Sequence, residues 1–128
     1  MTPELKLLVW SAVLTFVQML VAVMGAQLQV GLPALAGNRE NLPPLTGWAE
    51  RARRAHLNML ENLVLFAILV LVAQVAGKTN SMTLLGCQLF FWARVAQALI
   101  HVAGIPWLRT LAWVVSVIGL LILLLQVI

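Results

Sequence analysis

The stretch LLVWSAVLTFVQMLVAVMGAQLQVGLPALAGN, residues 7–38, contains no charged side chain in 32 positions. A helix that crosses the hydrocarbon core of a bilayer needs about 20 predominantly apolar residues, so this stretch is more than long enough for one crossing. The apolar core of a cleavable signal peptide is only about 7–15 residues long. The sequence therefore predicts a retained membrane-spanning helix over residues 7–30.

The composition of the whole chain also indicates a membrane protein. Of its 128 residues, 62% are hydrophobic and 9% are charged, and the mean hydropathy is +1.01. A water-soluble domain carries about 25% charged residues, and a disordered chain needs low hydrophobicity, so both classes are excluded. The net charge of +4 does not form the basic stripe that follows a nucleic-acid backbone, so no nucleic-acid partner is expected. The single Cys87 cannot form an internal disulfide.

Three further membrane spans follow the first, and turn residues mark their ends. They are predicted at 50–76, 82–103 and 107–128. Gly77 suits the end of the second helix, and Asn80 offers a cap for the third. Gly104 and Pro106 form a tight turn before the fourth. Strands are excluded because period-2 alternation is absent and an open sheet cannot satisfy its backbone in lipid. The predicted fold is all-α, with one four-helix membrane domain over residues 1–128.

The distribution of positive charge predicts how the chain is oriented. With four crossings, both termini lie on one side of the membrane, and the other two connections lie on the opposite side. That opposite side carries five arginines, which are Arg39, Arg51, Arg53, Arg54 and Arg109. The terminal side carries Lys6 and Lys78. Because cytoplasmic segments carry the excess of Lys and Arg, we expect the termini outside and the arginine-rich connection in the cytoplasm.

Two rows of polar side chains interrupt the apolar helices near the arginine-rich side. They are Arg51, Arg54, Asn58 and Glu61 on the second predicted helix, and Arg94, Gln97 and His101 on the third. Their spacings of three and four place each row on one helix face, within arcs of about 80° and about 60°. An ionisable group inside a membrane is costly, so it is by default a candidate functional residue.

The two rows are predicted to meet at matching depths. At a rise of 1.5 Å per residue, Glu61 comes out level with Arg94, and Asn58 comes out level with His101. Opposite charges at one depth predict a Glu61–Arg94 ion pair within a polar funnel that opens toward the cytoplasm. Two interpretations stay open: the funnel binds a ligand, or the ion pair fixes the helix register and nothing is bound.

The stretch ERARRAHLNMLEN, residues 50–62, resembles the second-helix signature E-R-x-x-R-A-x-x-N-x-x-E of the MAPEG family (membrane-associated proteins in eicosanoid and glutathione metabolism). The later stretches RVAQALIHVAG, residues 94–104, and LRT, residues 108–110, are similar to the family's R-V-x-H-x-x-x-Y-x-x-G and R-S elements. Because length and spans also match, the resemblance covers essentially the whole chain.

The resemblance implies a homotrimer in membrane lipid that binds glutathione between neighbouring subunits and acts on a lipophilic small molecule. The residues expected to bind glutathione are Arg51, Arg54, Asn58, Glu61, Arg94 and Gln97. Arg109 and Thr110 match the family's pair near the thiol, and His101 is the alternative catalytic group. Glutathione carries two carboxylates and one ammonium, so several arginines with one glutamate complement its charges. No metal site is expected.

The chain departs from the family pattern where thiol chemistry is expected. It contains no Tyr; His101 stands at the family's third-helix tyrosine, Gln97 at its histidine and Leu57 at a common arginine. The sequence therefore leaves open whether the protein is an enzyme. One function is glutathione transfer to, or peroxide reduction of, lipophilic substrates by a compact bacterial inner-membrane member. The other is non-catalytic binding of a thiol or an anionic lipid headgroup. A proton-coupled exporter is disfavoured, because its glutamate is expected in the first helix without a facing arginine.

Overall fold

The structure, a computed structural model, describes residues 1–37 and 43–128, and all regular secondary structure in these residues is α-helical. The helices are α1 (Pro3–Val30), α2 (Leu32–Ala36), α3 (Gly47–Val75), α4 (Ser81–Ala103) and α5 (Pro106–Val127). Within the described residues, four of these are long and apolar enough to cross a membrane, namely α1, α3, α4 and α5. The prediction of an all-α membrane protein with four spans is confirmed. Arg39, which was counted in the predicted orientation, lies outside the described residues.

The first helix begins earlier than the predicted residue 7. Thr2 caps α1 by accepting a hydrogen bond from the Leu5 amide, and Pro3 occupies the first helical position, where its missing N–H costs nothing. Glu4 lies in the first turn, where a carboxylate interacts favourably with the helix dipole. A charge-free window therefore detected the span but could not locate its capped start.

A short helix, α2, occupies part of the connection that the sequence predicted only as turns. Gly31 ends α1 with φ of 87°, a backbone conformation that favours glycine. Pro33 then lies in the first turn of α2, which is compatible with its fixed φ. At the far side of the connection, the Gln29 amide donates to the Thr46 carbonyl and accepts from the Thr46 amide, at 2.7 and 2.9 Å. The connection is therefore held at both ends.

The second connection joins the end of α3 at Val75 to the start of α4 at Ser81, each one residue from the predicted boundary. Gly77 follows α3 with φ of 68°, and the Lys78 amide donates to the Ala73 carbonyl, which is the hydrogen bond of a glycine-terminated helix. Asn80 caps α4 through a capping box with Thr83.

Helices α1 and α3 pack antiparallel and contact each other near both ends. Near one end, the Thr2 hydroxyl donates to Gln74 at 2.9 Å. Near the other end, a Cβ at Gly25 would lie only 2.8 Å from the Cβ of Ala49. This close approach is typical of membrane helices, whose interfaces favour small residues.

The apolar core fills the end of the bundle that contains the α3–α4 connection. Phe66 and Phe90 stack there with ring centroids 4.1 Å apart, and buried Cys87 belongs to the same cluster. Gly86 and Gly119 let α4 and α5 touch, since a Cβ at either position would lie within 2.8 Å of a backbone oxygen on the other helix. The other end of the bundle, at the α4–α5 turn, carries the polar side chains. We call it the arginine end.

Candidate functional site

A cleft of about 310 Å³ opens at the arginine end between α3, α4 and α5. Its lining residues are Arg54, Asn58, Gln97, His101, Arg109, Thr110 and Trp113. The structure therefore brings together six of the nine site residues that the sequence predicted. Helical spacing selects Arg54, Asn58, Gln97 and His101, whereas the family resemblance selects Arg109 and Thr110.

Arg94 lies next to the cleft and supports it from within the bundle. Its side chain is 2% exposed, and its Nη2 donates to the Asn58 Oδ1 at 2.5 Å. The Gln97 Nε2 donates to the same oxygen at 3.4 Å, while the Arg94 Nη1 approaches the Ser116 Oγ at 3.5 Å. The buried guanidinium of Arg94 is thus held by neutral acceptors on α3 and α5. Its hydrogen bond and that of Gln97 hold the Asn58 side chain of α3 against α4.

The predicted Glu61–Arg94 ion pair is wrong for the described chain. Among its residues, carboxylate–arginine contacts occur only from Glu50 to Arg53 and Arg54. Glu61 is exposed because it follows Met59, which is 1% exposed, by two residues, or about 200° around the helix. Depth alone had suggested the pair, but the two side chains point in different directions.

Arg51 lies outside the lining of the cleft. Its Nε donates to the Val102 carbonyl at 2.8 Å, one of the last carbonyls of α4, which lack partners within the helix. Its side chain also packs against Gly104, where an added Cβ would lie 3.2 Å from the Arg51 Nε. Arg51 therefore fastens the end of α4 to α3.

Beneath the surface of the cleft lie buried polar atoms that have no hydrogen-bond partner in the described part of the chain. They are the Gln97 Oε1 and both ring nitrogens of His101, and the Arg94 Nε beside them is likewise unpartnered. His101 is only 6% exposed, and four arginines act on it electrostatically: Arg109, Arg54, Arg94 and Arg51. Buried polar atoms are normally hydrogen-bonded, so Gln97 and His101 keep unsatisfied hydrogen-bonding groups just beneath a cleft in a positively charged setting. This arrangement favours an anionic ligand that also donates hydrogen bonds.

Arg109 and Thr110 behave differently although they are adjacent at the start of α5. In the described residues, the Arg109 side chain forms neither an ion pair nor a hydrogen bond, so its guanidinium is available to a ligand. The Thr110 hydroxyl donates to the Pro106 carbonyl at 3.2 Å. Thr110 therefore offers the cleft an acceptor oxygen rather than a free donor.

Two residues of the site were missed from the sequence. Trp113 lines the cleft and Ser116 contacts Arg94. Both follow Arg109 on α5 at spacings of four and seven, which places all three on one helix face. That spacing was visible in the sequence, but a tryptophan and a serine in an apolar helix carry no charge and drew no attention. Among the described residues, no cluster of three His, Cys, Asp or Glu side chains could hold a metal ion.

Comparison with known proteins gives one match. A sequence model described as the MAPEG family matches residues 7–128, and this range contains every side chain of the cleft. No curated protein and no solved structure matches significantly. Four spans, a polar cleft formed by the predicted rows, and a match over nearly the whole length lead to one conclusion: the chain belongs to the MAPEG family.

Proposed function

We propose that the protein binds glutathione in the cleft at the arginine end. The observation that carries this proposal is the Arg109 guanidinium, unpaired in the described residues, at a cleft that Arg54 also lines. Guanidinium groups bind carboxylates with two parallel hydrogen bonds, so the exposed Arg54 side chain would bind one of the two glutathione carboxylates, which leaves Arg109 for the thiol. A rotation of the Gln97 and His101 side chains toward the cleft would bring their buried acceptor atoms within reach of the amide and ammonium N–H groups of glutathione.

The proposed reaction is transfer of glutathione to a lipophilic electrophile, or reduction of a lipophilic peroxide, that arrives from the bilayer. In the reduction, the thiolate attacks one peroxide oxygen, the other oxygen departs as an alkoxide and is protonated, and a second glutathione converts the resulting sulfenic acid to the disulfide and water. In the transfer, the thiolate sulfur forms a bond to the electrophilic carbon, and the leaving group departs with its bonding electrons. Arg109 stabilises the thiolate, and its place in the first turn of α5 adds the favourable helix dipole, which contributes about 0.3–1 kcal/mol. The thiol proton passes to His101 or to water.

The homotrimer is part of the same proposal. Glu61 lies midway along α3 on its exposed face, and the Arg54 side chain is 63% exposed. A charged residue at the centre of a membrane helix costs about 2.5–3.5 kcal/mol, so this row favours a neighbouring subunit over lipid. A single 14.0 kDa species by mass measurement in mild detergent would contradict the assembly.

A second candidate, binding without catalysis, is favoured by the Thr110 contact. The hydroxyl hydrogen of Thr110 is committed to Pro106, and the chain contains no Tyr that could donate to the thiolate in its place. On this alternative the same cleft holds a thiol or an anionic headgroup, and no conjugation follows.

The first experiment is calorimetric titration of the detergent-solubilised full chain with glutathione. Wild type is expected to bind, and Arg109→Gln is expected to weaken binding. Lys6→Gln is the matched control, because it removes an exposed cation far from the cleft. Equal binding by both variants, or none by wild type, refutes the glutathione site. Binding without conjugation of an aromatic electrophile supports the non-catalytic alternative.

We also propose a bacterial inner-membrane location with both termini outside the cytoplasm. Its support is the excess of arginine at one end of the four spans. Fusing a reporter that is active only in the periplasm to residue 128 tests it, and activity is expected.

A further inference from the structure

A second and larger cavity lies at the arginine end, on the other side of α3. Its volume is about 560 Å³. It is lined by Ala26, Val30, Leu35, Pro43, Pro44, Leu45, Glu50, Arg53 and Arg54. It shares only Arg54 with the cleft described above. Nothing in the proposed function uses it.

The walls of this cavity divide by polarity. The side formed by α1 is apolar and includes Ala26 and Val30, while the side formed by the first turns of α3 carries Glu50, Arg53 and Arg54. A molecule that fits both walls has an apolar part and a charged part. The cavity is therefore suited to an amphiphile rather than to a wholly polar or wholly apolar ligand.

The charged wall has an excess of positive charge. The Glu50 Oε1 is the shared acceptor of the Arg54 Nε at 3.0 Å and the Arg53 Nη1 at 3.4 Å. One carboxylate thus faces two guanidinium groups, each of which has five N–H donors. The side chains of Arg53 and Arg54 are 51% and 63% exposed, so most of these donors remain accessible. The charge complement of this wall is an anion with several acceptor oxygens, as in a phosphate group.

The position of the cavity along the helices agrees with this chemistry. It lies where α1 ends at Val30 and α3 begins at Gly47, which is where helices that cross a bilayer leave its hydrocarbon core. At that level a lipid presents its phosphate outward and its acyl chains inward. The cytoplasmic leaflet, which the proposed orientation places here, is the leaflet with anionic surface potential.

We propose that this cavity binds an anionic phospholipid, with the phosphate on Arg53 and the start of an acyl chain along Ala26 and Val30. Arg53 lies outside the glutathione cleft, so the lipid site and the glutathione site can be tested independently. It also gives a role to the one arginine of the 51–54 segment that belongs to neither polar row.

The experiment measures lipid binding by the delipidated full chain, using native mass spectrometry and the thermal unfolding midpoint in mixed micelles. Phosphatidylglycerol is expected to be retained and to raise the midpoint, whereas phosphatidylcholine is not. Arg53→Gln should weaken phosphatidylglycerol binding about fivefold, as expected for one cation at a membrane surface. Lys6→Gln, which removes a cation at the opposite end of α1, should leave binding unchanged.

Two further measurements distinguish a lipid site from a general folding defect and from a site for free phosphate. Glutathione binding by Arg53→Gln should equal that of wild type, which shows that the variant is folded and that its defect is confined to the lipid. Soluble glycerol phosphate should not displace the lipid, because it lacks the acyl chain. The proposal is overturned if both lipids bind equally, if Lys6→Gln and Arg53→Gln behave alike, or if glycerol phosphate competes as well as the lipid. Should Arg53→Gln not fold, the comparison of the two lipids with glycerol phosphate on wild type decides alone.

Discussion

Replacing Asn58 with Leu should destabilise the bundle through a residue on another helix. The substitution keeps roughly the side-chain size but removes the Oδ1 that accepts from the Arg94 Nη2 at 2.5 Å. Arg94 is 2% exposed, so water cannot replace the lost acceptor. Its other side-chain contact is the Ser116 Oγ at 3.5 Å, which is long for a hydrogen bond.

The expected loss is about 1.5–3 kcal/mol, the range for a hydrogen bond to a charged group. Polar pairs between membrane helices average only about 0.6 kcal/mol, because polar groups also find partners in the unfolded state. A larger loss is expected here because the stranded group is a buried charge. The matched control is Asn62→Leu, the same substitution one turn further along α3. The Asn62 side chain donates to the Asn58 backbone carbonyl and forms no hydrogen bond to another helix among the described residues, so its replacement should cost less than about 0.5 kcal/mol.

The assay is reversible unfolding in mixed micelles, followed by circular dichroism, for single and double variants. Combining Asn58→Leu with Arg94→Leu should cost at least about 1 kcal/mol less than the sum of the two single changes. Combining Glu61→Gln with Arg94→Leu should be additive, because those side chains do not meet in the chain. Coupling of Arg94 to Glu61 with none to Asn58 would refute the assignment of the buried contact.

Three further predictions concern helix packing and the proposed chemistry. Gly119→Ala should lower the thermal unfolding midpoint and reduce the free energy of unfolding by about 1–3 kcal/mol. The new Cβ would lie 2.7 Å from the Gly86 carbonyl oxygen, so α4 and α5 must move apart. An unchanged midpoint would contradict the close contact. If the protein is an enzyme, Arg109→Ala should abolish conjugation of an aromatic electrophile while His101→Phe retains much of it, and the reverse result in a turnover assay would move the chemistry to α4. Thr110→Val should leave turnover within about twofold, since its hydroxyl hydrogen is already bonded within α5; loss of turnover would show that this hydroxyl donates to the thiol.

The spans and most of the cleft could be predicted because both depend on periodicity. Apolar runs report which segments tolerate lipid, and spacings of three and four report which side chains share a helix face. Both signals are local, so Asn58, Gln97 and His101 were correctly placed together without knowledge of the packing.

What could not be predicted was which way each face points. Glu61 and Asn58 lie on one arc of α3, yet Asn58 contacts α4 and Glu61 is exposed, because the buried side of the helix runs through Ala55 and Met59. The role of Arg51 was missed for a related reason: its partner is a main-chain carbonyl, and a sequence shows no spare carbonyls. Tertiary packing decides both outcomes.

The separation of the apolar core from the polar cleft implies that the two ends of the bundle differ in local stability. Amide hydrogens near Phe66 and Phe90, whose rings are fully buried, should exchange with solvent deuterium only on global unfolding. Amides around His101 and the α4–α5 turn, beside a cavity, should exchange through smaller local openings. A ligand held in the cleft would then slow exchange at one end of the molecule and leave the other unchanged, which would map the occupied site without any substitution.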